Sequence, residues 1–442
     1  MKAIKARWII CSGQEVRKNS VLLYEGDRIS EILSAEEYER TRGAAVRAEE
    51  LTDAGDCILM PGFVNAHMHQ YGILSHGIPQ AGNVVDFDTF LKNYWWPFIE
   101  DRITKREVLI TSAYTMTEML HSGITSFCDI LEAPNTREDA LIEQGKQIDE
   151  AGMRAIVSLE ASERISTENG RQCLWADARA ADYLKRYSDK VKGAISTHTT
   201  FTCSDAFIKE AAALAHRTDS MFQFHLSESA YEPERCRAER GILPVQVYEK
   251  NHALGPKTIA TQCVRLSARE IALLRETGTQ TVHMPISNCE VGGGIAGIPE
   301  MLEAGCHTAL GTDGYVNDWF QVMRSAFLIH KAAKETTKVM PAAKVFQMAT
   351  EYGAEAMGLE TCGRLAPGYQ ADFVLCQMKQ PTPVTEENIF DQIVAYGDRD
   401  QVTDVFIAGK PIMQAGEIVT LDEERLRVEM KACAEVFWAQ IR

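Results

Sequence analysis

Residues 221–225 read Met221-Phe222-Gln223-Phe224-His225, a short apolar run that ends in a polar residue. Similar runs recur along the middle of the chain, at residues 125–129, 154–159, 193–198, 258–262, 281–283 and 307–313. Longer stretches with helical periodicity separate them. This alternation predicts a parallel β-sheet with helices outside it, and so many strand-helix units close naturally into a (β/α)8 barrel. Several runs end in histidine, glutamine or aspartate, at the strand ends where a barrel carries its chemistry.

The two ends of the chain share a different pattern. Residues 1–58 contain short alternating runs with turn signals, such as Ser20-Val21-Leu22-Leu23-Tyr24, which are typical of antiparallel strands. The same pattern returns at residues 368–375 and 402–410. We therefore expect an α/β protein with a (β/α)8 TIM barrel over residues 59–359. Residues 1–58 and 360–442 are expected to form one small β-sandwich domain.

The composition is that of an ordinary globular protein. Of the 442 residues, 45% are hydrophobic and 24% are charged, which excludes collagen-like, coiled-coil and disordered chains. The 62 acidic residues outnumber the 46 basic ones and give a net charge of −16. Such an acidic chain argues against nucleic acid and anionic membranes as partners.

Cysteine usage and the N-terminus indicate a cytoplasmic protein. The 12 cysteines are scattered without C-x-x-C spacing, as expected of reduced thiols in a cytosol. The apolar run Trp8-Ile9-Ile10-Cys11 is too short for a signal peptide, and no stretch approaches the length of a membrane span.

Two histidines, His67 and His69, close the apolar run at residues 58–66. On a β-strand, residues two apart point to the same face, so both imidazoles point the same way, as two ligands of one metal must. Two partly exposed histidines without a common ligand are an equal alternative, because the motif has only two defined positions.

A histidine and a carboxylate, His225 and Glu228, lie where the run at residues 221–225 ends. At such a junction one side chain can bind a metal while the other reaches the substrate as a proton carrier. The alternative is a surface loop with ordinary polar residues.

Asp313 follows the last barrel run, in Leu310-Gly311-Thr312-Asp313-Gly314. By itself it can be an N-terminal cap of the next helix. Together with His67, His69 and His225, it offers nitrogen and oxygen donors without thiolates, a set that suits zinc, iron or manganese. Three or four protein ligands plus a water are typical of a catalytic metal site.

Five segments resemble the amidohydrolase superfamily and follow one another in its order: PGFVNAHMH at 61–69, THTTFTCS at 197–204, HLSE at 225–228, HMPISN at 283–288 and GTDG at 311–314. The most similar branch contains S-adenosylhomocysteine and guanine-type deaminases and triazine chlorohydrolases. Residues 363–372, GRLAPGYQAD, resemble the start of that family's second β half-domain, and residues 382–421 are similar to aminohydrolases called SsnA.

The resemblance implies that His67, His69, His225 and Asp313 bind one divalent metal ion per chain. We expect zinc, with iron(II) and manganese(II) as alternatives. Coordination lowers the pKa of water from 15.7 to about 7, so the expected nucleophile is metal-bound hydroxide, which attacks an electrophilic ring carbon. Asp313 is expected to accept the water proton, and Glu228 to protonate the ring nitrogen and then the leaving group.

One position departs from the family pattern. The family carries a histidine after the sixth barrel strand, where this chain has Gln262 in TQCVRLS at residues 261–267. Glutamine can orient hydroxide by hydrogen bonding but cannot carry a proton. Either the reaction differs from deamination, or Glu228 and Asp313 carry out all the proton transfer around Gln262. A decayed, inactive homologue is a further alternative.

The same departure bears on the number of metal ions. Two-metal members of the superfamily resemble one another in using a carbamylated lysine after strand four and histidines after strands five and six. This chain has His198 where the lysine belongs and Gln262 after strand six. The resemblance therefore favours a single metal.

Four further residues are candidate substrate contacts. His198 and His283 resemble pocket residues of the family, although a structural histidine at a strand end is the alternative for each. Trp95 and Trp96 lie in an aromatic segment at residues 94–98, which can form a lid that stacks on a flat heterocycle. Ordinary packing or a dimer contact explains them equally well. Homodimers are common among the resembling enzymes, and we expect one here.

The resulting hypothesis is a metal-dependent hydrolase that deaminates a small nitrogen heterocycle of the purine, pterin or pyrimidine type. A hydrolase that opens a cyclic amide or displaces another leaving group, such as chloride, is the first alternative. A non-catalytic homologue that only binds metal is the second.

Overall fold

The structure is a computed structural model, and it describes residues 1–43, 46–78 and 83–440. The strands within these residues are β1 (Lys2–Ser12), β2 (Glu15–Glu25), β3 (Arg28–Ser34), β4 (Leu51–Asp53), β5 (Ile58–Pro61), β6 (Phe63–Met68), β7 (Ile124–Leu131), β8 (Arg154–Leu159), β9 (Val191–Gly193), β10 (Ile195–Thr197), β11 (Phe222–Leu226), β12 (Thr258–Gln262), β13 (Gln280–His283), β14 (Thr308–Leu310), β15 (Phe373–Cys376), β16 (Val402–Ile407), β17 (Lys410–Gln414) and β18 (Glu417–Ile418).

The α-helices of the same residues are α1 (Ala35–Thr41), α2 (Phe87–Phe90), α3 (Trp96–Phe98), α4 (Lys105–His121), α5 (Glu138–Ala151), α6 (Thr167–Tyr187), α7 (Asp205–Thr218), α8 (Tyr231–Arg240), α9 (Pro244–Lys250), α10 (Ala268–Thr277), α11 (Ser287–Glu290), α12 (Ile298–Glu303), α13 (Trp319–Lys334), α14 (Ala342–Ala349), α15 (Glu351–Ala356), α16 (Ile389–Tyr396) and α17 (Glu423–Ala439).

Helix α7 illustrates why these helices form where they do. It begins after Ser204, whose side chain accepts a hydrogen bond from the backbone N–H of Phe207, because the first N–H groups of a helix have no partner within it. Its buried residues recur every three or four positions and make one apolar face: Phe207, Ile208, Ala211, Leu214 and Ala215.

Two parallel sheets make up the middle of the chain. One has the strand order β10-β11-β12-β13-β14 and the other β6-β7-β8-β9. Neighbouring strands align so that their carboxyl ends meet at one edge, with Leu226 opposite Gln262 and His283 opposite Leu310. The expected α/β class with parallel sheets is therefore confirmed, and the polar strand ends lie along a common edge.

Strands from both ends of the chain form a third sheet, in the order β18-β17-β16-β15-β5-β1-β2-β3, with β4 beside β1. Strand β5 joins the two ends, because it pairs in parallel with β1 and antiparallel with β15. Buried side chains of this sheet, among them Ile9, Leu22, Leu59, Phe373 and Phe406, pack into one apolar cluster.

The chain divides into two compact units. One consists of Met1–Val64, Thr117–Ser126 and Asn317–Asp422, and the other of Asn65–Met116, Phe127–Val316 and Glu423–Arg442. All twelve cysteines have free thiols. None of the helices within the described residues is long and apolar enough to cross a membrane.

Candidate active site

Three histidines from two strands converge in the second compact unit. His67 and His69 lie at the end of β6 and just after it, and His225 lies in β11. Their rings are 4.8 to 5.3 Å apart between centroids, and Nε2 of His69 lies 3.3 Å from Nε2 of His225. One ligand atom of each histidine lies within 4.8 Å of the others, so the three can hold one metal ion.

Asp313 completes this group from the loop after β14. Its Oδ1 lies 3.1 Å from Nε2 of His69, and the backbone around it bonds to β6, since the N–H of Asp313 donates to the carbonyl of His67. Two ligands at about 2.1 Å from one metal lie about 3.4 Å apart in a tetrahedral site. The spacing of the donor atoms therefore fits a shared metal ion.

The burial of His67 supports the same conclusion. The side chain is fully buried, and neither ring nitrogen has a hydrogen-bond partner among the described residues. A buried polar group without a partner is costly. A metal ion on one nitrogen of His67 would satisfy it.

The three histidines differ in pKa. Burial, and then the charge of His69, lowers the pKa of His67 to about 3, and burial lowers the pKa of His225 well below its usual value. Burial alone would lower the pKa of His69, but the charges of Glu132 and Asp313 outweigh it and raise that pKa to about 10. His67 and His225 are therefore neutral and able to bind a metal, whereas His69 must first release a proton.

Glu228 lies in the loop after β11 and faces the same group of residues. It is 9% exposed, and burial, followed by the charge of Asp313, raises its pKa well above the usual value. A raised pKa favours the protonated carboxyl group, which can act as a general acid.

Buried contacts hold the loop that carries Glu228. The carboxylate of Glu232, in α8, accepts hydrogen bonds from the backbone N–H groups of Ser227 and Thr200. Gly293 packs against the backbone of Glu228, and a Cβ atom at position 293 would overlap the carbonyl oxygen of Glu228. Helix α8 and the chain at Gly293 thus position the backbone that carries the proton carrier.

Gln262, at the end of β12, contacts Asp313 directly. Its Nε2 donates to Oδ2 of Asp313 at 2.7 Å, and its Oε1 accepts a short hydrogen bond from Asn288. Ser287 donates to the same Oδ2 of Asp313 at 2.7 Å. The amide therefore orients the carboxylate of Asp313, a function that needs no proton transfer.

We expect Gln262→His to change the pH dependence of kcat/KM or the substrate preference more than it changes folding, because an imidazole adds a titratable group beside Asp313. The measurement is a pH profile between about pH 6 and pH 9, with thermal unfolding in parallel. Gln172→His, on the exposed surface of α6, is the matched control. Identical profiles for both variants would contradict this interpretation of position 262.

A small cavity opens beside these residues. Its volume is about 30 Å³, and its lining includes Trp95, His198, Glu228, Gln262 and Asp313. The ring of His198 lies 5.4 Å from that of His225. Among the candidate substrate contacts, the structure thus brings Trp95 and His198 to the metal-ligand group.

The other two candidates do not line this cavity, although the ring of Trp96 lies 6.1 Å from that of His198. Trp96 lines a neighbouring cavity, where the guanidinium carbon of Arg164 lies 4.9 Å from its ring. His283 is fully buried at the end of β13 and is not part of the lining of the small cavity. Substrate contact by Trp96 and His283 stays a prediction.

Sequence reasoning missed two glutamates at this site, Glu132 and Glu160. Each directly follows a strand, Glu132 after β7 and Glu160 after β8. The first was missed because the predicted run stops at Asp129, whereas β7 continues to Leu131. The rule that polar residues at barrel strand ends carry the chemistry would have identified both.

Relatives with assigned activities match nearly the whole chain. The 5'-deoxyadenosine deaminase of Methanosarcina mazei is 30% identical, over 97% of this chain and 95% of its own length. The 5-methylthioadenosine/S-adenosylhomocysteine deaminase of Bacillus cytotoxicus is 29% identical, over 94% of both chains.

Solved structures share the fold. An adenosine deaminase from Xanthomonas campestris with bound zinc matches with a TM-score of 0.86 and 24% identity, over 98% of each chain. Atrazine chlorohydrolase from Arthrobacter aurescens, complexed with zinc, matches with a TM-score of 0.84 and 20% identity, over 98% of this chain and 100% of its own.

The sequence model of the amidohydrolase family matches residues 58–412. That span begins before His67 and continues past Asp313, so it includes every strand that contributes to the candidate site. The resemblance drawn from the five sequence motifs is thereby confirmed, and the chain belongs to the amidohydrolase family.

Proposed function

We propose that this protein is a metal-dependent hydrolase that deaminates a small nitrogen heterocycle, with an aminated purine nucleoside as the first substrate class to test. One observation carries the proposal: His67, His69, His225 and Asp313 lie together, and the buried carboxyl group of Glu228 faces them. A metal-ligand group beside a protonated carboxyl group is what hydrolysis of an aromatic amine requires.

A divalent metal held by these four side chains would lower the pKa of water from 15.7 to about 7 and so make it a nucleophile near neutral pH. Asp313 accepts the proton of that water, and Gln262 and Ser287 hold its carboxylate in place. Glu228 donates its proton to the ring nitrogen next to the reacting carbon. Asp313 gives the proton that it took from water to the amine, which leaves as ammonia. The oxygen stays on the carbon as a carbonyl, and the second proton of water returns to Glu228.

The names of the relatives support the choice of substrate class. Both are deaminases of adenine nucleosides or thioethers derived from them. The zinc in the two solved structures supports zinc as the metal. Purine nucleosides therefore come before pterins and pyrimidines in the order of testing.

The cavity bears on how such a substrate enters. A volume of about 30 Å³ is far below the roughly 300–1,000 Å³ of most ligand pockets. Aromatic residues line the cavity, with the ring of Trp95 stacked at 6.2 Å from Tyr315 and at 5.5 Å from Phe90. We infer that this aromatic lining moves when a heterocycle binds and that Trp95 then contacts the ring.

Gln262 favours a second candidate reaction, the opening of a cyclic amide or the displacement of another leaving group such as chloride. A family histidine at that position would carry a proton, and glutamine does not. In this alternative the same nucleophile attacks, but the product retains its nitrogen atoms or loses a different group. A non-catalytic metal-binding homologue is the third candidate.

The proposal includes the finer architecture. Isolated parallel bridges between Met68 and Asp313 and between Ala161 and Thr197 link the two parallel sheets, which supports one closed (β/α)8 barrel over residues 59–359. A bridge between Arg28 and Gln370 supports a third sheet that folds over on itself as a β-sandwich of residues 1–58 and 360–442. A homodimer and a cytoplasmic location stay predictions.

The test is release of ammonia from adenosine, 5'-deoxyadenosine, 5-methylthioadenosine and S-adenosylhomocysteine by protein reconstituted with zinc. Aminopterins, aminopyrimidines and aminotriazines complete the panel, and product masses are recorded in parallel. We expect ammonia from at least one purine nucleoside. The product should be about 1 Da heavier than the substrate, because a hydroxyl group or its carbonyl tautomer replaces the amino group.

Two other results of this experiment would each support a different reaction or role. If a substrate is consumed without release of ammonia and its product is about 18 Da heavier, the enzyme adds water to open a ring and the proposed deamination is wrong. Metal binding without turnover of any compound in the panel would contradict the proposed deaminase activity and favour the binding homologue.

A further inference from the structure

A second group of possible metal ligands lies beside the first. It consists of Glu132, Glu160, His198 and His225, all buried, and one ligand atom of each lies within 4.8 Å of the others. Oε2 of Glu160 lies 3.6 Å from Nδ1 of His225, and Oε1 of Glu132 lies 4.0 Å from Nε2 of His225. The group therefore surrounds the imidazole of His225.

Two atoms of this group have no hydrogen-bond partner among the described residues. They are Oε2 of Glu160 and Nδ1 of His225, and the two side chains are 5% and 4% exposed. Buried carboxylate oxygens and imidazole nitrogens are rarely left without a partner, because losing water costs free energy that only a new contact offsets. The two atoms lie 3.6 Å apart and are both available to one ligand.

The charges around these atoms also favour a cation. Glu132 pairs with His69, and both Glu132 and Glu160 lie within 4.0 Å of the neutral imidazole of His225. The half-buried guanidinium of Arg164 forms its salt bridges with Glu100 and Asp101. Tyr71 donates a hydrogen bond to Glu132, whereas Oε2 of Glu160 has no partner among the described residues, and a buried carboxyl oxygen without a partner is costly.

The donor atoms suit a divalent transition metal. Zinc binds imidazole nitrogen at 2.0–2.1 Å and carboxylate oxygen at 2.0–2.2 Å, so two ligands of one ion lie between about 3 and 4.3 Å apart. The distance of 3.6 Å between Oε2 of Glu160 and Nδ1 of His225 is within that interval. Nδ1 of His198 already bonds to Oγ1 of Thr202 at 2.9 Å, which leaves its Nε2 as the ligand atom.

We propose that Glu132, Glu160, His198 and His225 form a second site for a divalent transition metal, so that the fully loaded protein holds two metal ions per chain. His225 contributes to both sites as an imidazolate, because the second ion displaces the remaining ring proton to water; Nε2 lies on the side of His69 and Nδ1 on the side of Glu160. This proposal revises the single metal expected from the sequence. It does not require that the protein be a deaminase.

The test counts metal ions rather than activity. Metal-free wild type, Glu160→Gln, Glu132→Gln and the control Glu163→Gln are saturated separately with zinc and with manganese, freed of excess metal, and analysed by mass spectrometry of the elements. Glu163 lies three residues from Glu160 but bonds to Ser204 and Thr167. Crystals of the manganese form are measured at the manganese absorption edge to locate the ions.

We expect two ions per chain in wild type and Glu163→Gln, and one in Glu160→Gln and Glu132→Gln. The remaining ion should lie at His67 and His69. Far-UV circular dichroism identifies any variant that fails to fold. If one of the two glutamate variants does not fold, the metal content of the other is the test. One ion in saturated wild type, or two ions in a folded Glu160→Gln or Glu132→Gln variant, would overturn the second site. If the protein proved not to be a deaminase, the expected number of metal ions would be unchanged.

Discussion

Glu228→Gln is expected to lower kcat by about 100- to 10,000-fold, the usual contribution of a positioned proton carrier. The amide has the shape of the protonated carboxyl group but cannot give up and regain a proton in each turnover. Because Glu228 is not among the proposed metal ligands, the metal content should equal that of the wild type. Steady-state kinetics on the best substrate, together with metal analysis, measures both quantities.

Glu234→Gln is the matched control, since Glu234 is exposed on helix α8. We expect this variant to keep the wild-type kcat. A Glu228→Gln variant that retains its metal and turns over substrate at the wild-type rate would contradict the proposed proton transfer. The raised pKa of Glu228 would then reflect burial without a catalytic use.

His67→Asn is expected to abolish activity and to reduce the metal content by one ion per chain. The shorter side chain cannot reach the position of either imidazole nitrogen, which are the atoms of His67 without a partner among the described residues. A ligand that binds only the folded state at 1,000 times its dissociation constant stabilises it by about 4 kcal/mol. Zinc should therefore raise the free energy of unfolding of His67→Asn by about 4 kcal/mol less than it raises that of the wild type.

The effect of zinc is measured within each protein, by denaturant unfolding with and without the metal. The stability cost of any cavity left by the substitution is the same in both measurements and cancels in their difference. His216→Asn, at an exposed histidine of α7, is the control and should behave as wild type. If His67→Asn bound as much zinc as the wild type, the metal would have to lie elsewhere, and the proposed mechanism would lose its nucleophile.

Much of this arrangement was predictable from the chain alone. Parallel strands, the terminal strands and the family follow from short apolar runs and from motifs of a few residues, which are local properties. His67, His225 and Asp313 lie far apart in the chain and were assigned to one metal because the motifs that contain them resemble those of the amidohydrolase superfamily. In the structure they converge from the strand ends of two parallel sheets.

The two tryptophans show where prediction from the sequence stops. Trp95 and Trp96 are neighbours and were equivalent candidates, yet Trp95 lines the small cavity and Trp96 lies against Arg164. Consecutive residues of a helical segment point in directions about 100° apart. Only the positions of the surrounding elements decide which direction faces the site.

The sequence by itself determined the parallel α/β architecture, the family, and the residue types available for metal and proton chemistry. The tertiary structure decided that Gln262 bonds to Asp313, and that Glu132 and Glu160 lie on either side of His225. These contacts join strand ends far apart in the chain. Periodicity encodes the conformation of each segment, whereas the distance between two strand ends depends on how all the intervening segments pack.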